Sequence, residues 1–238
     1  MVLPLNLAMT LSEIAATQSL PAGFAWMSCH FCPDTEGITN IPEKLPECSM
    51  LILTDRESCN GHNPDLVAQQ LLEAVQQLHC ESVLLDFQQP WDAEANAIVK
   101  AIVDALPFPT AVTETFAGDL SCPVFLSPCP LHIPLATRLR FWEGREIWLE
   151  AALCQESITV TKDGATFTPI FPTQQLTGGL YDKKLHCRYH TSIAADRITF
   201  TLFDTHETLA AKLELAHSLG VTRAVGLYQE LGRYFHKV

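Results

Sequence analysis

Apolar residues in this chain fall into short unbroken runs separated by segments with helical spacing. Residues 23–31 (GFAWMSCHF) and 49–54 (SMLILT) read as strands buried on both faces. Asn63-Pro64-Asp65 then supplies an N-cap and a first-turn proline, and Leu66, Leu71, Leu72, Val75 and Leu78 recur at the spacing of one helix face. A strand over 82–87, a helix over 92–106 and strands over 110–116, 123–127 and 146–153 continue the series. Such alternation predicts an α/β fold built from βα units around a parallel sheet.

The pattern changes near residue 155. Asp163-Gly164 lies between alternating β-branched residues in ITVTKDGATF, a hairpin signal, and residues 198–203 (ITFTLF) read as a further strand. Residues 155–203 are therefore expected to form a small β-rich insertion. A helix over 208–219, ended by Gly220, and a last strand over 224–228 complete the chain. A length of 238 residues suits one domain over 1–238, since closed α/β barrels of about 200 to 250 residues are common. This order fits a closed barrel and an open doubly wound sheet equally well.

Charge narrows the partners. The formal net charge is −12, and residues 1–119 hold 3 Lys/Arg against 16 Asp/Glu while residues 120–238 hold 12 against 11. An acidic half repels phosphate backbones, so neither nucleic acid nor an anionic membrane surface is an expected partner. No apolar run approaches the roughly 20 residues of a membrane span. The first basic side chain is Lys44, so the apolar start lacks the charged beginning of a secretory signal. Nine cysteines, an odd number without small-scaffold spacing, suit thiols kept reduced, and a cytoplasmic protein is expected. Nothing in the sequence fixes an oligomeric state.

Two segments carry chemistry. The first is Glu81-Ser82-Val83-Leu84-Leu85-Asp86-Phe87-Gln88-Gln89-Pro90, in which Asp86 and Gln88 lie two apart at a strand end and point to the same side. The second runs from Phe203-Asp204-Thr205-His206-Glu207 through a helix containing Lys212 to Gly226-Leu227-Tyr228-Gln229-Glu230-Leu231-Gly232. Together they resemble the glycoside hydrolase family 18 enzymes, the chitinase and N-acetylglucosaminidase group that includes bacterial spore-cortex enzymes. That family's fourth barrel strand reads Asp-x-x-Asp-x-Asp-x-Glu followed by an aromatic residue and Pro. Against it Glu81, Leu84, Asp86 and Gln88 stand at the three aspartates and the catalytic glutamate, and Pro90 matches. The second segment is similar to the family's ending, with Tyr228 at the position of a tryptophan in Gly-x-Trp-x-Leu-Gly.

The resemblance implies a trimmed (β/α)8 TIM-type barrel with the β insertion before its last strand. It also implies a substrate-assisted mechanism in which an aspartate, here Asp86, orients the sugar's acetamido group and a glutamate protonates the leaving oxygen. An amide at Gln88 cannot supply that proton near neutral pH, so the expectation is an inactive or weakly active protein that still binds N-acetylglucosamine-containing glycans. Tyr228 would floor the sugar site, since an aromatic face stacks on pyranose C–H groups. The plainer alternatives are a strand-end cap for Asp86, an ordinary amide at Gln88 and a core tyrosine at 228.

Other residues offer different readings. Asp55, Glu114 and Glu150 each stand in or just after a strand and are candidates for substrate contact or for a replacement acid, which would need a raised pKa. Cys29, Cys32, Cys59 and His62, arranged as Cys-x-x-Cys and Cys-x-x-His, have the ligand types of a tetrahedral zinc site. No Gly-rich phosphate loop, serine nucleophile elbow or His-Glu-x-x-His helix is present, and no cofactor is expected.

Overall fold

The computed structural model describes residues 3–21, 23–32, 34–39, 48–170 and 175–235. The chain begins with β1 (Leu5–Met9), α1 (Leu11–Ala16), β2 (Ala25–Phe31) and a two-residue β3 (Ile38–Thr39). It continues through β4 (Met50–Thr54), α2 (Pro64–Gln77), β5 (Ser82–Asp86), α3 (Ala93–Ala105), β6 (Thr110–Thr113), α4 (Glu114–Ala117), β7 (Val124–Leu126), α5 (Leu135–Phe141) and β8 (Ile147–Ala151). The strands β9 (Gln155–Thr161), β10 (Gly164–Ile170), β11 (Leu180–Asp182), β12 (Cys187–Ile193) and β13 (Arg197–Phe203) follow, then α6 (His206–Ser218), β14 (Arg223–Leu227) and α7 (Tyr228–Phe235).

Eight strands run parallel in the order β1, β14, β8, β7, β6, β5, β4, β2, and the ring closes because β1 pairs with both β14 and β2. The result is a (β/α)8 barrel, which decides between the two sheet arrangements. Each barrel strand is buried on both sides, which is why its sequence lacks a polar face. Ala8, Ala25, Met50, Ile52, Leu84, Ala111, Phe125, Trp148 and Val225 fill the interior. Their neighbours Leu51, Leu53, Val83, Leu85 and Val112 face α2 and α3 instead.

The start of the barrel is plugged by one connected group. Trp148 is fully buried, its indole N–H donates to Glu146 at 2.8 Å, and the Arg223 guanidinium lies 4.6 Å from its ring centre. Arg223, from β14, also donates to the Ser82 hydroxyl of β5 at 2.6 Å. β14 and β5 lie on opposite sides of the ring, so this bond crosses the floor.

Local signals in the sequence are realised where they are short-range. The Asn63 side chain accepts from the backbone N–H of Asp65 at 3.0 Å, and Asp92 caps α3 through Ala95 at 2.8 Å. The Asp163-Gly164 turn joins β9 to β10. One strand was not expected, and one expected strand is shorter. The N-terminal segment is a barrel strand, made tolerable in the core because Asn6 donates to Gly23 O at 2.5 Å and to the Ser49 hydroxyl at 2.6 Å. The strand expected over 110–116 stops at Thr113, whose hydroxyl donates to Phe87 O at 3.0 Å, and Glu114 begins α4. Cys48 and Cys80 lie side by side with Cα atoms 5.3 Å apart.

The insertion is a five-stranded antiparallel sheet in the order β10, β9, β13, β12, β11; residues 171–174 of the expected span lie outside the described residues. Its apolar base, with Cys187 and Leu202, packs on Leu131 in the loop after β7. His132 from that loop donates its backbone N–H to Glu156 at 2.9 Å and stacks on Phe167 with ring centres 4.1 Å apart. Where the chain leaves and re-enters the barrel, Asp204 N–H donates to Cys154 O at 2.9 Å. The Asp204 carboxylate accepts from Lys212 Nζ through both oxygens at 2.8 Å and from the Thr208 hydroxyl at 2.9 Å.

Asp204 and Lys212 are each 2% exposed, so the pair ties the neck of the insertion to α6 inside the protein. Burial pushes the Asp204 carboxyl up, and Lys212 and Thr208 oppose that shift. Removing one partner strands the other charge. Lys212→Met is expected to lower the unfolding free energy by about 3–5 kcal/mol, and Asp204→Leu/Lys212→Met by less than the single change. Urea denaturation followed by circular dichroism checks this; a single-variant loss below about 1 kcal/mol contradicts it.

Candidate functional site

In a barrel of this kind the side chains at the carboxyl ends of the strands converge on one face. β5 delivers Asp86 there, two residues after the inward-facing Leu84, and β8 delivers Glu150, two residues after the inward-facing Trp148. Both carboxylates line a cavity of about 30 Å³ together with Met27, Ile52, Phe125 and Leu227. That is room for a water molecule or two and not for a sugar ring.

Few polar neighbours offset the burial of these carboxylates. Burial, followed by the nearby charges of Asp86, Glu230 and Glu114, pushes Glu150 up to about 7, with a hydrogen bond from Ser127 opposing. Asp86 is raised by burial and by Asp55, while the Gln88 side-chain amide, donating to Asp86 Oδ1 at 2.5 Å, works the other way. Gln88 itself is exposed at the rim.

The remaining expected site residues are distributed differently. Asp55 is buried and takes the backbone N–H groups of Gln88 and Gln89 at 2.8 and 2.7 Å, so it pins the loop after β5. Glu114 is engaged by Arg138 Nη2 at 2.6 Å. Of the three carboxylates considered as replacement acids, Glu150 alone lines the cavity with Asp86.

Tyr228 does not line the cavity. It begins α7 one residue beyond the inward Leu227, packs against core on the outer side of the barrel, and its phenol oxygen accepts from the Thr17 hydroxyl at 3.2 Å. The sugar-floor role expected of Tyr228 therefore draws no support from this cavity.

The zinc expectation is corrected. A bulge between Met27 and Cys29 keeps Met27 facing inward and turns Cys29 outward into the helix layer. Burial pushes the Cys29 thiol up to about 12 and, aided by Asp55, the Cys59 thiol up to about 11, both away from the thiolate a metal requires. The His62 ring nitrogens lie 3.1 Å from Cys59 O and 3.0 Å from Cys32 O. Among the described residues no group of three or more His, Cys, Asp or Glu is placed to hold a metal ion.

A larger depression, about 530 Å³, lies at the opposite end of the barrel beside the starts of β7 and β8. Its Arg145 is already spent on Gly118 O at 2.9 Å and Cys122 O at 2.7 Å, which gives that end a structural role. Sequence reasoning overlooked Met27 and Leu227 at the mouth, and Trp91 in the loop beside Gln88. Leu227 was readable from its spacing of two from Val225. The signal for Trp91 was its place between Pro90, where the strand has ended, and the helix cap Asp92.

No protein-family model matches the chain, and no curated protein matches it. Solved structures do. An N-acetylglucosaminidase of glycoside hydrolase family 18 from Paenibacillus barengoltzii superposes with a TM-score of 0.60 at 11% identity, covering 98% of this chain and 96% of that one. The fold is that of the family-18 glycoside hydrolases. A class V chitinase from Nicotiana tobaccum, solved as a glutamate-to-glutamine mutant in complex with NAG4, gives a TM-score of 0.58 at 9% identity over 95% of this chain and 93% of that one. The spore cortex-lytic enzyme SleL of Bacillus cereus gives 0.53 at 12% identity, over 94% of this chain and 70% of that one. Within this family-18 fold, β5 is the fourth barrel strand and Gln88 follows its carboxyl end.

The position of Glu150 has a measurable consequence. Its folded pKa of about 7 lies above the ordinary value of 4.5, so the folded protein holds more protons than the unfolded chain between those values. Glu150's contribution to stability therefore falls as pH rises from about 4.5 to about 7. Glu150→Gln is expected to flatten that part of the stability profile in urea titrations at stepped pH. An unchanged slope contradicts the placement.

Proposed function

We propose that this chain is a family-18-fold protein that binds N-acetylglucosamine-containing glycans across the barrel mouth and cleaves them weakly or not at all. The observation that carries the reading is Gln88: it stands at the general-acid position of the resembling motif and donates its amide to Asp86 at 2.5 Å. An amide at this position holds a hydrogen bond but has no proton to give, and general acid catalysis is commonly worth about 10² to 10⁴ in rate. Support for binding comes from the tobacco chitinase, whose glutamate-to-glutamine mutant was solved with NAG4. In this reading Asp86 orients the acetamido group, and Gln88 hydrogen-bonds the glycosidic oxygen without protonating it.

A second reading has its own observation. Glu150 shares the cavity with Asp86 and is pushed up to about 7, where a carboxyl is poised to give or take a proton at neutral pH. If Glu150 supplies the missing acid, the protein is a working glycosidase, and Glu150→Gln removes its turnover.

The discriminating test is Gln88→Glu assayed on a chromogenic N-acetylglucosaminide. Hydrolysis is expected to rise about 100-fold or more over the wild type, and to vanish again when Asp86→Asn is added. A folded Gln88→Glu variant with neither turnover nor glycan binding contradicts the proposal. Leu84, at the second aspartate position of the motif and inside the barrel, limits how far a single reversion can go.

A further inference from the structure

Trp91 is 55% exposed, although an indole is among the costliest side chains to leave in water. The other three tryptophans have their rings placed. Trp26 and Trp148 are fully buried, and Trp142 meets Phe141 at 5.1 Å and Arg145 at 5.2 Å near the opposite end of the barrel. The loop that carries Trp91 is fixed at both ends. Asp55 holds the Gln88 and Gln89 amides, while Asp92 caps α3 through Ala95 and accepts from the Asn60 side chain at 3.1 Å. Gly61 N–H donates to Glu94 at 2.9 Å, which ties the loop after β4 to the start of α3. An exposed ring on a braced loop, three residues from Gln88, loses little conformational freedom when a ligand arrives.

We infer that Trp91 is a stacking platform for a pyranose ring of a β-1,4-linked N-acetylglucosamine oligosaccharide, with Asp55 as the residue that positions the loop. The inference rests on the proposed glycan binding and adds to it the residue that grips the sugar outside the small cavity. A neutral pyranose suits the place: its C–H face covers an aromatic ring, and it brings no charge toward the acidic mouth.

The test is a fluorescence titration of the full chain with the N-acetylglucosamine tetramer, because Trp91 is the most exposed of the four tryptophans. Saturable quenching or a blue shift is expected in the wild type, absent in Trp91→Ala. Calorimetry should then show Trp91→Ala binding about 10-fold more weakly, with Trp91→Phe recovering most of the loss, since one ring stack is worth about 1 kcal/mol or more. Both variants should keep the wild-type melting temperature, as the ring is at the surface. Wild-type binding left unchanged by Trp91→Ala overturns this inference and leaves the proposed function standing. A wild type that binds no tetramer overturns the proposed function itself.

Discussion

Strand β1 hydrogen-bonds along both edges, to β14 on one side and to β2 on the other, and this double pairing leaves the barrel no free edge. Eight strands then share one narrow interior, and every second side chain has to fit it. Small residues at Ala8, Ala25 and Ala111 make room for Phe125 and Trp148, and Arg223 reaches across the floor to Ser82. With the floor plugged, the interior opens at the carboxyl ends of the strands. Asp86 and Glu150 lie there because they are the last inward positions of their strands.

That location sets their chemistry. Burial raises the cost of ionising Glu150, and the nearby Asp86 charge adds to it, so Glu150 is driven toward neutral pH. Asp86 is partly relieved by the Gln88 amide. The Gln88 amide thus lowers the cost of ionising the neighbouring aspartate. A glutamate at position 88 would add a third carboxyl group beside Asp86.

The elements that could be read in the sequence are those decided within a few residues. Asn63 and Asp92 cap their helices, and Asp163-Gly164 turns its hairpin, because each rule is local. β1 was not legible: its role depends on pairing with a strand some 220 residues away in the chain, and Asn6 breaks its apolar run until Gly23 and Ser49 are brought beside it. The site was legible in part. Asp86 and Gln88 follow from spacing of two, whereas Cys29 is turned outward by a bulge that no sequence pattern announces. Asp55 and Glu114 stood as candidate site carboxylates in sequence because their partners, the Gln88 and Gln89 amides and Arg138, come from other strands and loops.

The central claim is that an amide at position 88 leaves a barrel that holds a glycan without cutting it. Calorimetric titration of the wild-type chain with the N-acetylglucosamine tetramer, followed by mass spectrometry of the same sample after prolonged incubation at neutral pH, tests it most directly. A saturable one-to-one heat and a tetramer left mostly intact are expected. Rapid conversion of the whole tetramer to shortened products, or no heat of binding, would contradict the claim.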